Sequence, residues 1–189
     1  MSKSRNEPIF EALWNEVSSV HMQWKIYSQI FANQQQIKEL ETFARTFFHV
    51  IHRCLISEIV LSCARLTDRP RMHGRENLSL RQLVPMVEKD DQKLAKKLAE
   101  EIGTLKELCD CLIEWRNHSL AHNDLQTALG EVVLPGLQRN KIEDVLASIR
   151  SIMNDCERSL LGSITHYQAV MLDDDATPIL ELVHRAKTS

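Results

Sequence analysis

The sequence predicts an all-α fold, a bundle of four long helices with short extra helices, and three observations carry that expectation. Only five glycines and five prolines interrupt 189 residues. Long stretches space their apolar residues by threes and fours, as one buried helix face requires. Alternating Val, Thr and Tyr runs that would form half-buried strands are scarce. At this length one domain is expected over residues 1–189, with a core from about 8 to 172 and a tail or short terminal helix over 173–189.

Pro8 suits a first helical turn, and Ile9, Leu13, Val17, Val20, Trp24, Tyr27 and Phe31 continue from it at helical spacing. The polar break Asn33-Gln34-Gln35-Gln36 ends that helix. A second stripe, Ile37, Leu40, Phe43, Phe47, Val50 and Cys54, runs on to about Leu66 and places Phe43, Phe47 and Phe48 in the core with no ligand assigned to them. Leu55 to Leu61 is apolar nearly all round, so this helix is expected to be the most buried. Thr67 to Asn77, with Pro70 and Gly74, reads as a loop. Asn77 is expected to cap a short helix that Pro85 disturbs or ends.

From about Asp90 a charged helix runs through Leu94, Leu98, Ile102, Leu105, Leu108, Leu112 and Trp115 and delivers the chain to Arg116. Residues 123–139 hold Gly130, Pro135 and Gly136 and read as a connection. A last long helix follows on Ile142, Val145, Ile149, Ile152, Cys156, Leu160, Ile164 and Tyr167, fading at Asp173-Asp174-Asp175; beyond Pro178, Ile179 to Arg185 can form one more short helix.

The formal net charge is −3, so nucleic-acid binding has to come from a local patch rather than from the charge of the whole chain. The polar N-terminus has no apolar secretion segment, and no run reads as long enough to span a bilayer; a cytoplasmic location with no membrane partner is expected. Five cysteines, Cys54, Cys63, Cys109, Cys111 and Cys156, fall within helical patterns and read as reduced packing residues.

Arg116-Asn117-His118-Ser119-Leu120-Ala121-His122 is the stretch with the most chemistry. A phosphoryl transfer without a metal needs a fixed cation for the developing oxyanion and a group that moves protons near neutral pH, which Arg and His supply. As pure structure, His122 extends the stripe Leu112, Trp115, Ser119 and reads as a core histidine. On one straight helix Arg116 and His122 would also diverge by about 120° and sit about 9 Å apart in rise. Either the helix ends near Asn117 and His122 folds back, or two copies of the chain line one cleft.

His118 and His122, or His49 and His52, have the spacing of metal ligands on a helix, and Glu181 with His184 is the only Glu-x-x-His; no metal is assigned to them. Arg65, Arg69, Arg71, Arg75 and Arg81, against Asp68 and Glu76, form a local basic excess. It reads either as a phosphate-binding rim or as a solvated loop paired with Glu88, Asp90 and Asp91.

Trp115-Arg116-Asn117-His118-Ser119-Leu120-Ala121-His122 resembles the Arg-polar-x(4)-His signature of HEPN domains. With Ala64-Arg65-Leu66-Thr67-Asp68 and Glu76-Asn77-Leu78-Ser79-Leu80, the pattern is similar to the abortive-infection, AbiU-like branch over roughly residues 37–172. The resemblance implies a four-to-five-helix bundle and a metal-independent, cofactor-free endoribonuclease. It also implies a homodimer acting on RNA in phage defence or as a toxin, with a possible antitoxin or other protein partner. Arg116 and His122 match the catalytic pair, and Asn117 the polar residue after the arginine. His118, Arg65, Asp68, Arg69, Arg71 and Arg75 are the candidate substrate-binding residues around them. The alternative is an inactive dimeric module of the same fold that binds a protein partner or a nucleotide.

Overall fold

The structure is a computed structural model that describes residues 6–72, 74–120, 124–169 and 175–188. Four long helices dominate it: α1 (Asn6–Ile30), α2 (Gln34–Leu66), α4 (Gln92–Leu108) and α7 (Arg139–Leu161). Short elements join them: β1 (Arg71–Met72), β2 (Arg75–Glu76), α3 (Val84–Val87), α5 (Asp110–Trp115), α6 (Leu125–Ala128) and α8 (Thr177–Thr188). The all-α bundle is the expected one.

Helices α1 and α2 form an antiparallel hairpin. Asn33 caps α2 by accepting from the Gln36 N–H at 2.9 Å, and Gln36 Nε2 returns to the last carbonyls of α1, those of Gln29 and Ile30. Helix α4 packs on α7, and the pairs close one core of Leu13, Val17, Ile59, Cys63, Leu98, Ile102, Ile149 and Ile152, all essentially dry. A second, smaller cluster holds Ile30, Phe31, Leu40 and Phe48, and α8 covers it with Val183 and Leu180. The terminal helix is therefore formed and docked, and it runs longer than 179–185.

Several expectations need correction. The stripe assigned to the core of α2 is two stripes. Leu40, Phe48, Ile51 and Leu55 face inward, whereas Phe43 and Phe47 are 54% and 58% exposed and Val50 and Cys54 also face out. The outer stripe lies about 100° round the helix from the inner one, and a 3.6-residue period fits both. Helix α2 also kinks at Ala44, whose φ and ψ are −155° and 69°. By length and composition it is apolar enough to cross a bilayer, against the expectation that no run is long enough to do so.

The helix expected from Asp90 to Trp115 breaks at Cys109 into α4 and α5. Residues 67–77 are not only loop: β1 and β2 pair as a small hairpin, turned at Gly74 with φ +78°, while His73 lies outside the described residues. Asn77 caps no helix. Its side chain donates to the Arg69 carbonyl at 2.8 Å and its N–H to Pro70, clasping the hairpin. A short 3₁₀ helix over Leu80–Leu83 does stop just before Pro85, which then stands in the first turn of α3, because a proline lacks only an N–H that the first turn does not use. Helix α7 stops at Leu161, since Gly162 takes the left-handed conformation (φ +70°). Ile164 and Tyr167 therefore lie beyond it, Tyr167 buried in a 3₁₀ turn.

The five thiols are free. Cys63, Cys109 and Cys156 are buried packing residues, Cys111 is half-buried, and Cys54, placed in packing by the sequence reading, is exposed. Burial pushes the Cys109 and Cys156 thiols up to about 12 and raises Cys63 as well, so these three stay protonated, and unreactive, at pH 8. Iodoacetamide at pH 8 is expected to label Cys54 first and to leave Cys63, Cys109 and Cys156 unlabelled until denaturant is added, as read by mass spectrometry of peptides. Early labelling of Cys63 would contradict the packing described.

Candidate active site around Arg116

The last three turns of α2 bury Ile59, Val60, Cys63 and Leu66, which fixes where the chain leaves the helix. Thr67 ends it, its backbone N–H and its hydroxyl both donating to the Ala64 carbonyl. Asp68 follows at once and points across to the C-terminal end of α5, which packs on α2. There the Asp68 carboxylate accepts from Arg116 Nη1 at 2.8 Å.

Arg116 is held at a second point, since its Nε donates to Asn117 Oδ1 at 3.2 Å. Among the described residues Nη2 has no acceptor, so one edge of the guanidinium is oriented and still available. Its side chain is 21% exposed and that of Asp68 is 26%, a setting in which a charged hydrogen bond orients firmly but still meets solvent.

Arg116 lines a cleft of about 450 Å³ with Thr67, Asp68, Arg69, Arg71, Met72, Lys106 and Ile113. Four cations against one carboxylate make this a local positive site on an acidic chain. Lys106 is the member that sequence reasoning missed. Lys106 reaches the cleft from α4, across the break at Cys109 from Ile113 and Arg116, so no single helix face in the sequence joins them.

Of the sequence-predicted site residues, the structure brings Arg116, Asn117, Asp68, Arg69 and Arg71 together. Arg65 is elsewhere: its Nη2 pairs with Glu58 at 2.8 Å and Glu16 at 3.6 Å beside a neighbouring cleft, where Asp68 also borders it. Arg75 is exposed on β2 and His118 is exposed, and neither lines the Arg116 cleft. Within the described residues the loop arginines form no ion pair with Glu88, Asp90 or Asp91. Asp91 instead caps α4 by accepting from the Leu94 N–H.

The motif is not a straight α-helix. Helix α5 ends at Trp115, and Arg116–Leu120 winds as a single π-helical turn. The Asp124 N–H bonds back to the His118 carbonyl at 3.1 Å. Two hydrogen bonds from Thr127 hold the Asp124 carboxyl below its usual range, and the His118 imidazole adds to that effect. His122 lies outside the described residues.

Two other chemical patterns have bland settings. His52 shares a hydrogen bond with the Tyr27 hydroxyl at 3.2 Å and packs edge-on to Phe31. Glu181 pairs with Arg185, and among the described residues no three His, Cys, Asp or Glu side chains are grouped to hold a metal.

The Arg116–Asp68 pair couples α5 to the end of α2, and a double-mutant cycle measures it. Asp68→Ala and Arg116→Met, singly and together, are expected to give a coupling of about 1 kcal/mol in urea unfolding. Strict additivity of the two losses would mean that the pair orients nothing.

One comparison with known proteins bears on this site. A HEPN family model, described as AbiU2, matches residues 5–177, which takes in all four long helices and the whole of the Arg116 cleft. No solved structure matches the chain with significance. A match over nearly the whole length of an all-helical bundle identifies the family, and the chain belongs to the AbiU2 family of HEPN proteins.

Proposed function

We propose that this chain is a metal-independent endoribonuclease of HEPN type that cuts RNA as a cytoplasmic homodimer, in phage defence or as a toxin. The observation that carries the reading is Arg116, oriented by Asp68 and Asn117 with Nη2 left available inside a cleft that Arg69, Arg71 and Lys106 make cationic. A guanidinium so held can meet a phosphate without first losing its own conformational freedom.

In the reaction, the ribose 2′-oxygen attacks the adjacent phosphorus as its proton passes to a base. The P–O5′ bond breaks and the 5′-oxygen takes up a proton, leaving a 2′,3′-cyclic phosphate and a 5′-hydroxyl. His122 is assigned the proton transfer, worth about 10²- to 10⁴-fold. Arg116 stabilises the phosphate oxygens, and a lost donor of that kind costs about 2.7 to 4 kcal/mol. Asn117 and Asp68 position Arg116. Arg69, Arg71 and Lys106 hold flanking phosphates.

The dimer is supported by the outer stripe of α2. Phe43, Phe47, Val50 and Cys54 repeat at intervals of four, three and four residues, the spacing of a helix-pairing seam, and among the described residues no element covers them. Five free thiols fit a reducing compartment. A second reading, a non-catalytic dimeric module that binds a protein partner or a nucleotide, is favoured by one feature. The Asp68 carboxylate 2.8 Å from Arg116 competes with any incoming phosphate.

Purified protein incubated in EDTA with single-stranded and structured RNA is expected to leave cyclic-phosphate ends, with cutting reduced at least 100-fold by Arg116→Ala or His122→Ala. Equal cutting by the variants would assign the activity to a contaminant. No cutting by the wild type, alongside a stable dimer and a defined partner on pull-down, would support the second reading. In sedimentation, Phe47→Glu is expected to convert a dimer to a folded monomer. A wild-type chain that is monomeric at micromolar concentration would end the dimer proposal.

A further inference from the structure

A second cleft, between α1 and α7, carries charge of the opposite sign. It lies where the first turns of α1, the end of α3 and the last turns of α7 meet, and its volume is about 640 Å³, within the range of small-molecule sites. Phe10, Trp14 and Leu160 give it apolar walls. Glu7, Glu11, Asp90 and Glu157 give it four carboxyl groups, and no Lys, Arg or His is among the described residues that line it.

Glu157 is what distinguishes this cleft from a solvated acidic patch. The residue is only 6% exposed, its Oε1 accepts from the Ser163 hydroxyl at 2.9 Å, and its Oε2 is buried with no hydrogen-bond partner among the described residues. A buried carboxyl oxygen without a donor is costly, and Glu157 is one of the residues that line the cleft. Among the described residues Glu7, Glu11 and Asp90 also have no cationic partner. Trp14 is fixed as a wall by its Nε1–H bond to Thr165 Oγ1 at 3.0 Å, with 38% of the residue exposed, so its ring is presented rather than packed away.

We propose that this cleft binds a small amphipathic organic cation: an ammonium or guanidinium group on an aromatic or alkyl body. The cationic head donates to Glu157 Oε2, with Glu11 and Asp90 adding attraction at the rim. The apolar body lies against Phe10, Trp14 and Leu160. An aromatic wall beside a carboxylate suits such a ligand, because the ring face attracts the cation while the body is removed from water. An inorganic cation would leave the apolar walls unused, and an anion would be repelled.

The probe is tryptamine, titrated calorimetrically into the full chain at 150 mM salt beside 3-methylindole, which keeps the ring and lacks the charge, and spermidine, which keeps the charge and lacks the ring. Saturable one-site binding of tryptamine is expected, at least tenfold tighter than either comparison compound. Glu157→Gln is expected to weaken it at least tenfold, as loss of a charged hydrogen-bond partner does. Glu107→Gln on α4 is expected to leave it unchanged. Should Glu157→Gln unfold the chain by circular dichroism, the rim variant Glu11→Gln/Asp90→Asn tests the same point and is expected to weaken binding about tenfold. The proposal is overturned if tryptamine shows no saturable binding, if 3-methylindole or spermidine binds as well, or if neither carboxyl variant weakens it.

Discussion

Burial of Ile59, Val60, Cys63 and Leu66 on the last three turns of α2 is the constraint on which the rest of this structure depends. These residues sit in the main core with α1, α4 and α7 packed around them, and they fix the point at which the chain leaves α2. Asp68 comes two residues after Leu66 and has little freedom to be elsewhere. Helix α5 packs on the same stretch of α2, so Arg116 meets Asp68 across a contact that the core has already set. The cationic cleft is thus a consequence of packing at a distance from it.

A site made this way keeps chemistry and scaffold on separate elements. Arg116 stands on a single π-helical turn, a winding that α-helices adopt at some energetic cost and use mostly at functional positions. Its orientation is supplied by Asp68 from another helix and by Asn117 from its own turn. The β1–β2 hairpin contributes Arg71 and Met72 to the cleft and is itself held by Asn77, whose side chain and backbone bond back to Arg69 and Pro70. The cleft between α1 and α7 shows the reverse polarity, with Glu157 buried and Glu7, Glu11 and Asp90 around it. The formal charge of −3 averages over these two clefts and describes neither.

Much of the fold was legible in the sequence. The four long helices and their order follow from the spacing of apolar residues and the few breakers, because burying one face every 3.6 residues leaves a periodic trace in the chain. The Arg116 motif was legible as chemistry for a related reason: a fixed cation followed by a histidine six positions on is a local pattern. Lys106 was not legible in that way, because it stands on α4 and meets Arg116 only across the break at Cys109. The misreadings have local causes. Asn77 was assigned by its commonest use, and Gly162 was overlooked as the stop of α7.

What the sequence by itself determined is the all-helical class, the family resemblance and the identity of Arg116 and its neighbours, since these depend on residue type and short-range spacing. Only the tertiary structure decided which of the two apolar stripes of α2 is covered, because a periodic pattern names a face without naming what packs on it. It alone decided that Asp68, 48 residues away, holds Arg116, that Arg65 turns to Glu58 instead, and that Glu157 is buried with an oxygen to spare. Contacts between residues distant in the chain are set by how whole helices pack, and no local spacing records them.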